Sequence, residues 1–259
     1  MSERQPIRVA LLGASGRMGQ AVLEAASGMD GLRVVAALVG RGSTSIDKTS
    51  HGLAYSTDLT AALTGADVLV DFSLPESTGL ALDACLAARK PLVTGVTGID
   101  AALKGRLADA GKHIPVLAAP NMSLGVALLS RMVEQAAKVL GPDFDIEISE
   151  AHHRHKKDAP SGTALALAEV MSQARGQPAP VPGTDRRGTR EPGSIGFSVV
   201  RAGDIVGEHT VLFAGTGERL ELSHRAQSRA TFAHGALRAA RWIVGKPAGL
   251  YRLSDTLQA

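Results

Sequence analysis

Between Glu150 and Thr163 the chain reads Glu-Ala-His-His-Arg-His-Lys-Lys-Asp-Ala-Pro-Ser-Gly-Thr. Two kinds of chemistry are within reach of such a stretch. Histidine exchanges protons near neutral pH, so His152 is a candidate proton donor or acceptor, and Lys156 adds a second group that can give up a proton. Pro160-Ser161-Gly162-Thr163 stands at the start of a helix-like run. It offers the unpaired first amides of a helix, hydroxyls from Ser161 and Thr163, and at Gly162 a backbone that an anion can approach closely. His153, His155 and Lys156 add positive potential. A carboxylate held beside a proton donor is what a reductase of an unsaturated, nitrogen-containing acid needs. The residues alone leave other readings open. Ser161 could be an ordinary helix cap. His152 and His155 could bind zinc, although two histidines without a further cluster make a poor ligand set, so no metal is expected. A basic nucleic-acid patch would want interleaved aromatics, which are missing. The loop could also be merely solvated.

The elements around this stretch must position it. Phe144, Ile146 and Ile148 alternate with Asp145, Glu147 and Ser149, which predicts a half-buried strand before it. Residues 163–175 predict a helix after it, making 150–163 a strand-to-helix loop. Upstream, residues 124–140 read as a long helix with Leu124, Leu128, Met132, Ala136 and Leu140 on one face, stopped by Gly141-Pro142. Downstream, 176–193 is rich in Pro and Gly, carries Arg186, Arg187 and Arg190, and reads as irregular. Residues 195–201, 205–213 and 219–225 read as a run of hairpin strands, turned at Gly203-Asp204 and Gly215–Glu218. A last helix over 229–244 is expected to return to the first domain.

The first half has a different rhythm. Ile7 to Leu12 reads as a strand, followed at once by Gly13-Ala-Ser-Gly-Arg-Met-Gly19, a helix, and a second buried strand over 32–39. Glycines between a strand and a helix let the backbone turn sharply and approach a pyrophosphate, with helix amides to hold its charge. The spacing is G-x-x-G-x-x-G, with Ser15 where the dinucleotide fingerprint has its middle glycine. At the end of the second strand stands Val39-Gly40-Arg41-Gly42-Ser43. A carboxylate there would accept bonds from ribose hydroxyls and repel a 2′-phosphate; Arg41 and Ser43 would receive it, so NADPH is expected to be favoured over NADH. Further strands end in Phe72, in Gly95-Val-Thr-Gly98 and in Ala119-Pro-Asn-Met-Ser123, whose Gly95, Thr97, Asn121 and Ser123 could orient a carboxamide and ribose. Phe72 could lie beside a nicotinamide or simply pack in the core.

These readings predict an α/β protein: an N-terminal doubly wound Rossmann-type parallel sheet (1–122), then an α+β domain of mixed or antiparallel sheet (123–228), with 229–259 returning to the first. Composition agrees. Apolar residues make up 44% but aromatics only 3%, so the core must be Ala, Val, Leu and Ile. A net charge of +3 is too small to argue for nucleic acid. Cys85 is alone, which excludes an internal disulfide, and no apolar run approaches a membrane span. The expectation is a cytoplasmic protein with no nucleic-acid or membrane partner.

With these motifs in place, the chain resembles the dihydrodipicolinate reductase family (4-hydroxy-tetrahydrodipicolinate reductases) over nearly its whole length. The likeness rests on the three glycine- and asparagine-bearing turns, on Glu150-Ala-His-His-Arg-His-Lys156 with Asp158-Ala-Pro-Ser-Gly-Thr163, and on Val200-Arg-Ala-Gly-Asp-Ile-Val-Gly-Glu-His209. It implies reduction of 4-hydroxy-tetrahydrodipicolinate, a small cyclic dicarboxylate, to tetrahydrodipicolinate in lysine and diaminopimelate biosynthesis, with NADPH or NADH as hydride donor. By motif it implies His152 as proton donor/acceptor, Lys156 as second proton donor, and His153, Gly162 and Thr163 as substrate ligands. It also implies cofactor contacts from Gly13, Ala14, Ser15, Gly16, Arg17 and Met18, from Gly95, Val96 and Thr97, and from Ala119, Pro120, Asn121 and Met122. A homotetramer assembled through the second domain is implied as well. Family members often carry an acidic residue followed by arginine where this chain has Val39-Gly40, a departure that favours NADPH. A sugar or amino-acid dehydrogenase, or a cofactor-binding sensor without activity, would share the first half but would not need the histidine–lysine loop.

Overall fold

The computed structural model of the chain describes residues 5–46, 48–178 and 187–257. In chain order the elements run β1 (Ile7–Leu12), α1 (Arg17–Ser27), β2 (Leu32–Leu38), β3 (Thr49–Ser50), β4 (Leu53–Ser56), α2 (Leu59–Gly65), β5 (Val68–Asp71), α3 (Pro75–Ala88), β6 (Leu92–Thr94), α4 (Ala101–Ala110) and β7 (Pro115–Ala118). They continue with α5 (Leu124–Leu140), β8 (Asp145–His152), α6 (Gly162–Ala174), β9 (Ile195–Arg201), β10 (Gly207–Ala214), β11 (Arg219–Ala226), α7 (Ala230–Ile243) and β12 (Gly249–Tyr251). Contacts divide them into two compact units, one of residues up to Leu124 together with those from Arg229 on, the other Gly125–Ser228.

The first unit is built on an eight-stranded sheet in the order β12-β7-β6-β5-β1-β2-β4-β3. Its pairings are parallel except β3 with β4. Because β1 pairs with β2 on one side and β5 on the other, strand order reverses there. In an open α/β sheet the crevice outside the strand ends at such a reversal takes the ligand. The strands are apolar on both faces, as helix-covered parallel strands must be. Ala10, Leu12, Leu38, Leu69 and Leu92 pack with Leu63, Leu82 and Leu107 of α2, α3 and α4. Val9 and Leu11, equally buried, point to the other face. Cys85 lies in the first of these cores, where burial pushes its thiol pKa up, and it serves as a small packing residue. The helix α7 packs on α1. A Cβ at its Gly235 would stand 1.7 Å from the Met122 carbonyl oxygen, so only glycine allows this approach.

The second unit holds a mixed four-stranded sheet in the order β11-β10-β8-β9, in which β8 and β9 are parallel and the other pairs antiparallel. Three expectations are corrected here. Strands β9, β10 and β11 are not a hairpin run: β8 lies between β9 and β10, and of the three only β10 and β11 form a hairpin. The buried face of α5 is Val126, Ala127, Leu129, Val133 and Ala137, whereas Leu128 and Met132 of the expected stripe are 50% and 44% exposed. A strict spacing of four drifts around the helix, and the stripe alternating three and four stays on the core. Finally, Glu150, Ala151 and His152 belong to β8, so the loop starts at His153. Of the irregular segment, residues 179–186, including Arg186, lie outside the described residues. Arg190 pairs with Glu147 and donates to the Ile146 carbonyl at 2.9 Å.

The inner face of this sheet changes character along its length. On β8 the inward residues are Ile146, Ile148, Glu150 and His152; on β10 they are Phe213, Val211, His209 and Gly207. The apolar end packs with Phe197, Leu129 and Val133 and with Leu167 and Met171 of α6. The other end is polar, and the first turn of α6 lies against it through Ser161.

Candidate active site

The first unit presents the glycine turns at one edge of its sheet. Leu12, Asp71, Thr94 and Ala118 are neighbours in register, so the turns that follow them open side by side. Asp71 ties them together. Its fully buried carboxylate accepts from Ser73 N at 2.9 Å and Oγ at 2.5 Å, from Thr78 Oγ1 at 2.7 Å and from Thr94 Oγ1 at 3.2 Å. Burial pushes its pKa up, against the pull of those bonds. Gly13 has φ +81°, and a Cβ there would meet the Phe72 carbonyl oxygen at 2.5 Å. A Cβ at Gly95 would meet the Phe72 ring at 2.4 Å, so one glycine turn closes on the Phe72 backbone and the other on its ring. Gly16 caps α1 without a side-chain bond, and the first turn holds no acidic residue. Amides at a helix start that no side chain satisfies fit the phosphates of a dinucleotide. Ser15, Gly16, Arg17, Pro120 and Thr97 are exposed, while Met18 and Asn121 are half-buried. Ala14, Val96 and Met122 turn their side chains into the protein, so they have only backbone to offer there. Ala119 donates to the Thr94 carbonyl. Arg41 lines an open cavity of about 530 Å³ with Leu12, Val39, Thr57 and Asp58.

One expected result arises directly. In Gly19→Ala the new Cβ would lie 2.2 Å from the Gly13 carbonyl oxygen, a backbone atom with nowhere to go. The helix would gain roughly 0.5–1 kcal/mol of propensity, but overpacking costs about 1–3 kcal/mol. A lower melting temperature together with weaker NADPH binding by fluorescence titration is expected. Unchanged binding would separate this turn from the cofactor.

The second unit holds the histidine motif. Here His152 Nδ1 lies 2.6 Å from Glu150 Oε2, and the Glu150 side chain is completely buried. Arg201, from the later motif, grips both oxygens of Glu150 at 2.7 Å each. Burial works to raise the Glu150 pKa, but the bonds from Arg201 and His152 outweigh it and hold the carboxylate below its usual range. For His152, burial lowers the pKa, Glu150 works against that, and Lys156 and Arg201 push further down. His209 is buried, 5.2 Å from the His152 ring centroid in an edge-on arrangement, and 3.0 Å from Ser161 Oγ through Nε2. Burial, then the neighbouring His152, push its pKa down to about 4.

The Ser161 hydroxyl is committed inside the protein, accepting from Ala164 N at 3.2 Å as the helix cap. Gly162 is exposed and Thr163 half-buried at the helix head. Lys156 Nζ pairs with Asp158 at 2.9 Å. Burial works to raise the Asp158 pKa, but Lys156 and the Gly162 amide bring it below the usual value. His153 is half-buried, with no protein partner for Nδ1. The structure thus brings His152, Lys156, His153 and the head of α6 into one unit, as the sequence suggested. It adds Glu150, Arg201 and His209, which carried no role in the sequence reading. Among the described residues no group of three His, Cys, Asp or Glu side chains could hold a metal ion.

Comparison with known proteins meets this geometry. Residues 7–122 match the family described as dihydrodipicolinate reductase, N-terminus, and residues 125–257 match dihydrodipicolinate reductase, C-terminus. The chain belongs to the dihydrodipicolinate reductase family. It is 50% identical to a 4-hydroxy-tetrahydrodipicolinate reductase of Thiobacillus denitrificans, over 97% of this chain and 98% of that one. It is 48% identical to another of Alkalilimnicola ehrlichii, over 96% and 98%. In fold it is similar to a dipicolinate-bound dihydrodipicolinate reductase from Paenisporosarcina sp. TG-14, with TM-score 0.79 and 24% identity over 96% of this chain and 98% of that one. The first unit, with its largely parallel sheet, is the nucleotide-binding half expected of this reductase family, and the mixed sheet bears the histidine motif.

Proposed function

We propose that the protein reduces 4-hydroxy-tetrahydrodipicolinate to tetrahydrodipicolinate in lysine and diaminopimelate biosynthesis, using a nicotinamide cofactor, and that His152 and Lys156 are its proton-exchanging residues. The observation that carries the residue assignment is a histidine anchored through Nδ1 in the same unit as a helix head that attracts carboxylates. Bound at the glycine turns, the cofactor supplies the hydride. The remaining work falls to the chain's own side chains. The amides at the head of α6, with Gly162, Thr163 and the unpartnered His153 Nδ1, hold a substrate carboxylate, and Lys156 balances its charge. Asp158 is itself a carboxylate favoured by Lys156 and Gly162, so an entering carboxylate competes for partners already suited to it. Ser161 acts from behind, fixing the helix head through its cap. His152 Nε2 exchanges the proton that completes reduction, and Lys156 serves as second donor.

NADPH is favoured over NADH in this reading. No carboxylate ends β2; Arg41 stands on the cavity next to Val39, and the cavity's Asp58 is occupied in capping α2 through Ala61 N at 2.9 Å. Assembly as a homotetramer through the second unit is supported by the exposed Leu128, Met132 and Val139 of α5 and by Val200 and Leu220 of the sheet, and light scattering of the purified protein tests it. No helix of the described residues is long and apolar enough to cross a membrane, and a cytoplasmic location fits the proposed pathway.

The test generates the unstable substrate in place, from pyruvate and aspartate semialdehyde with an active synthase, and follows oxidation of NADPH and NADH in parallel. Synthase-dependent oxidation is expected, faster with NADPH, and Arg41→Ala should narrow the ratio between the cofactors. No oxidation with either cofactor, given confirmed substrate and folded protein, would remove the reductase reading. An unchanged ratio in Arg41→Ala would remove the argument for NADPH.

A further inference from the structure

The motif Val200-Arg-Ala-Gly-Asp-Ile-Val-Gly-Glu-His209 has so far no task in the reaction. Its placement gives it one. On one side of β8, Arg201 is the register partner of His152. On the other side β10 begins at Gly207, and His209 is the register partner of Glu150. The motif therefore brackets the end of β8, and the short connection between Arg201 and Gly207 lets one stretch of chain reach both sides.

We infer that Glu150 and Arg201 are positioning residues for His152: they fix the proton on Nδ1 and leave Nε2 as the atom that exchanges protons. The inference rests on His152 being the proton-exchanging residue and follows from a count of donors. A carboxylate has about four lone-pair positions. Those of Glu150 face the Ser161 amide at 3.0 Å, two Arg201 nitrogens at 2.7 Å each, and His152 Nδ1 at 2.6 Å. The amide and the guanidinium can only donate. The bidentate ion pair with Arg201 keeps Glu150 a carboxylate, so it accepts throughout and Nδ1 carries the hydrogen. Arg201 is held in turn by the carbonyls of Val200 at 2.8 Å and Asp158 at 2.6 Å, so the pair also ties down the loop that carries Lys156. Nε2 faces the bare Cα of Gly207, where a Cβ would lie 3.0 Å away. The charged and titratable neighbours of the ring are Glu150 on its own strand, Arg201 on β9, His209 on β10 and Lys156 on the loop.

Glu150→Gln tests this with the full-length protein. The amide keeps the shape, removes the charge and can present a donor to Nδ1, which selects the other tautomer. The expected loss in kcat is at least about 100-fold, since the corresponding change in serine-protease triads costs about 10⁴, with a much smaller change in KM. Nitrogen NMR of labelled histidine, with the His152 signal assigned by its disappearance in His152→Gln, should show protonated Nδ1 in the parent and its loss in Glu150→Gln. The His152 ionisation should move to lower pH, because the anion favouring the imidazolium is gone. Arg201→Lys serves if that variant does not fold: with the cation kept and the fork lost, Nδ1 should stay protonated while kcat falls. A parent His152 protonated on Nε2, or a tautomer and pH profile unmoved in Glu150→Gln, would overturn the inference. An active His152→Gln would instead overturn the role of His152 itself, so the two failures are distinguishable.

Discussion

Replacing His152 with glutamine should lower kcat by about 10²–10⁴-fold, the usual worth of a positioned general acid or base, while NADPH binds as tightly as before. The side chain is 11% exposed and anchored at Nδ1, so glutamine can keep the contact to Glu150 but has no atom that gains and loses a proton near neutral pH. The sign of the pH dependence follows from the lowered pKa. Burial, together with Lys156 and Arg201, disfavours the imidazolium more than Glu150 favours it, so the neutral ring dominates at neutral pH and the charged ring gains only below the ordinary value of 6.5. In the parent, kcat/KM should change with the His152 ionisation at a pH below that value, and in the variant this step should be lost. Near-normal turnover across the whole range would take the proton transfer away from His152 and leave it to Lys156. A loss confined to NADPH affinity would place His152 with the cofactor rather than with the substrate.

The parts of this molecule that sequence made legible are those in which local pattern and tertiary demand coincide. The β1–α1–β2 unit could be read because its apolar strands, its glycine turn and its helix follow one another within a few residues. The histidine loop could be read because its chemistry is packed into adjacent positions. What was hidden depended on partners far along the chain. Period-two alternation in Ile146, Ile148, Glu150 and His152 continues past the point where polarity suggested a loop, and that signal was available. An ionised glutamate on an apolar face needs a cation, yet nothing local says that the cation is Arg201, 51 residues away. The insertion of β8 between β9 and β10 is likewise a matter of topology: residues 195–213 look like two hairpin strands because their turn is short. On α5 two apolar stripes compete, and only the packed sheet chooses between them.

A buried histidine kept neutral also makes stability depend on pH, and here His209 should dominate. Its pKa stands at about 4 in the folded protein against 6.5 for an ordinary histidine, because it is buried beside His152. Between these values the unfolded chain binds a proton that the folded one refuses. The unfolded state holds more protons there, so unfolding free energy falls as pH falls from 6.5 toward 4 and is insensitive to His209 above and below that window. At about 1.4 kcal/mol per pKa unit, the loss over the window is on the order of 3 kcal/mol. Glu150, with its lowered pKa, contributes stability that is lost at lower pH still, as its carboxylate is protonated below the ordinary glutamate value of 4.5. The two effects are therefore separable. His209→Gln, which can keep a bond to Ser161 Oγ but cannot take up the proton, should flatten the dependence of urea midpoints between pH 7 and pH 4 relative to the parent. Parallel curves for parent and variant would show that His209 already takes its proton in the folded protein. The edge-on pair would then hold an imidazolium against His152, a charge that would itself oppose protonation of that ring.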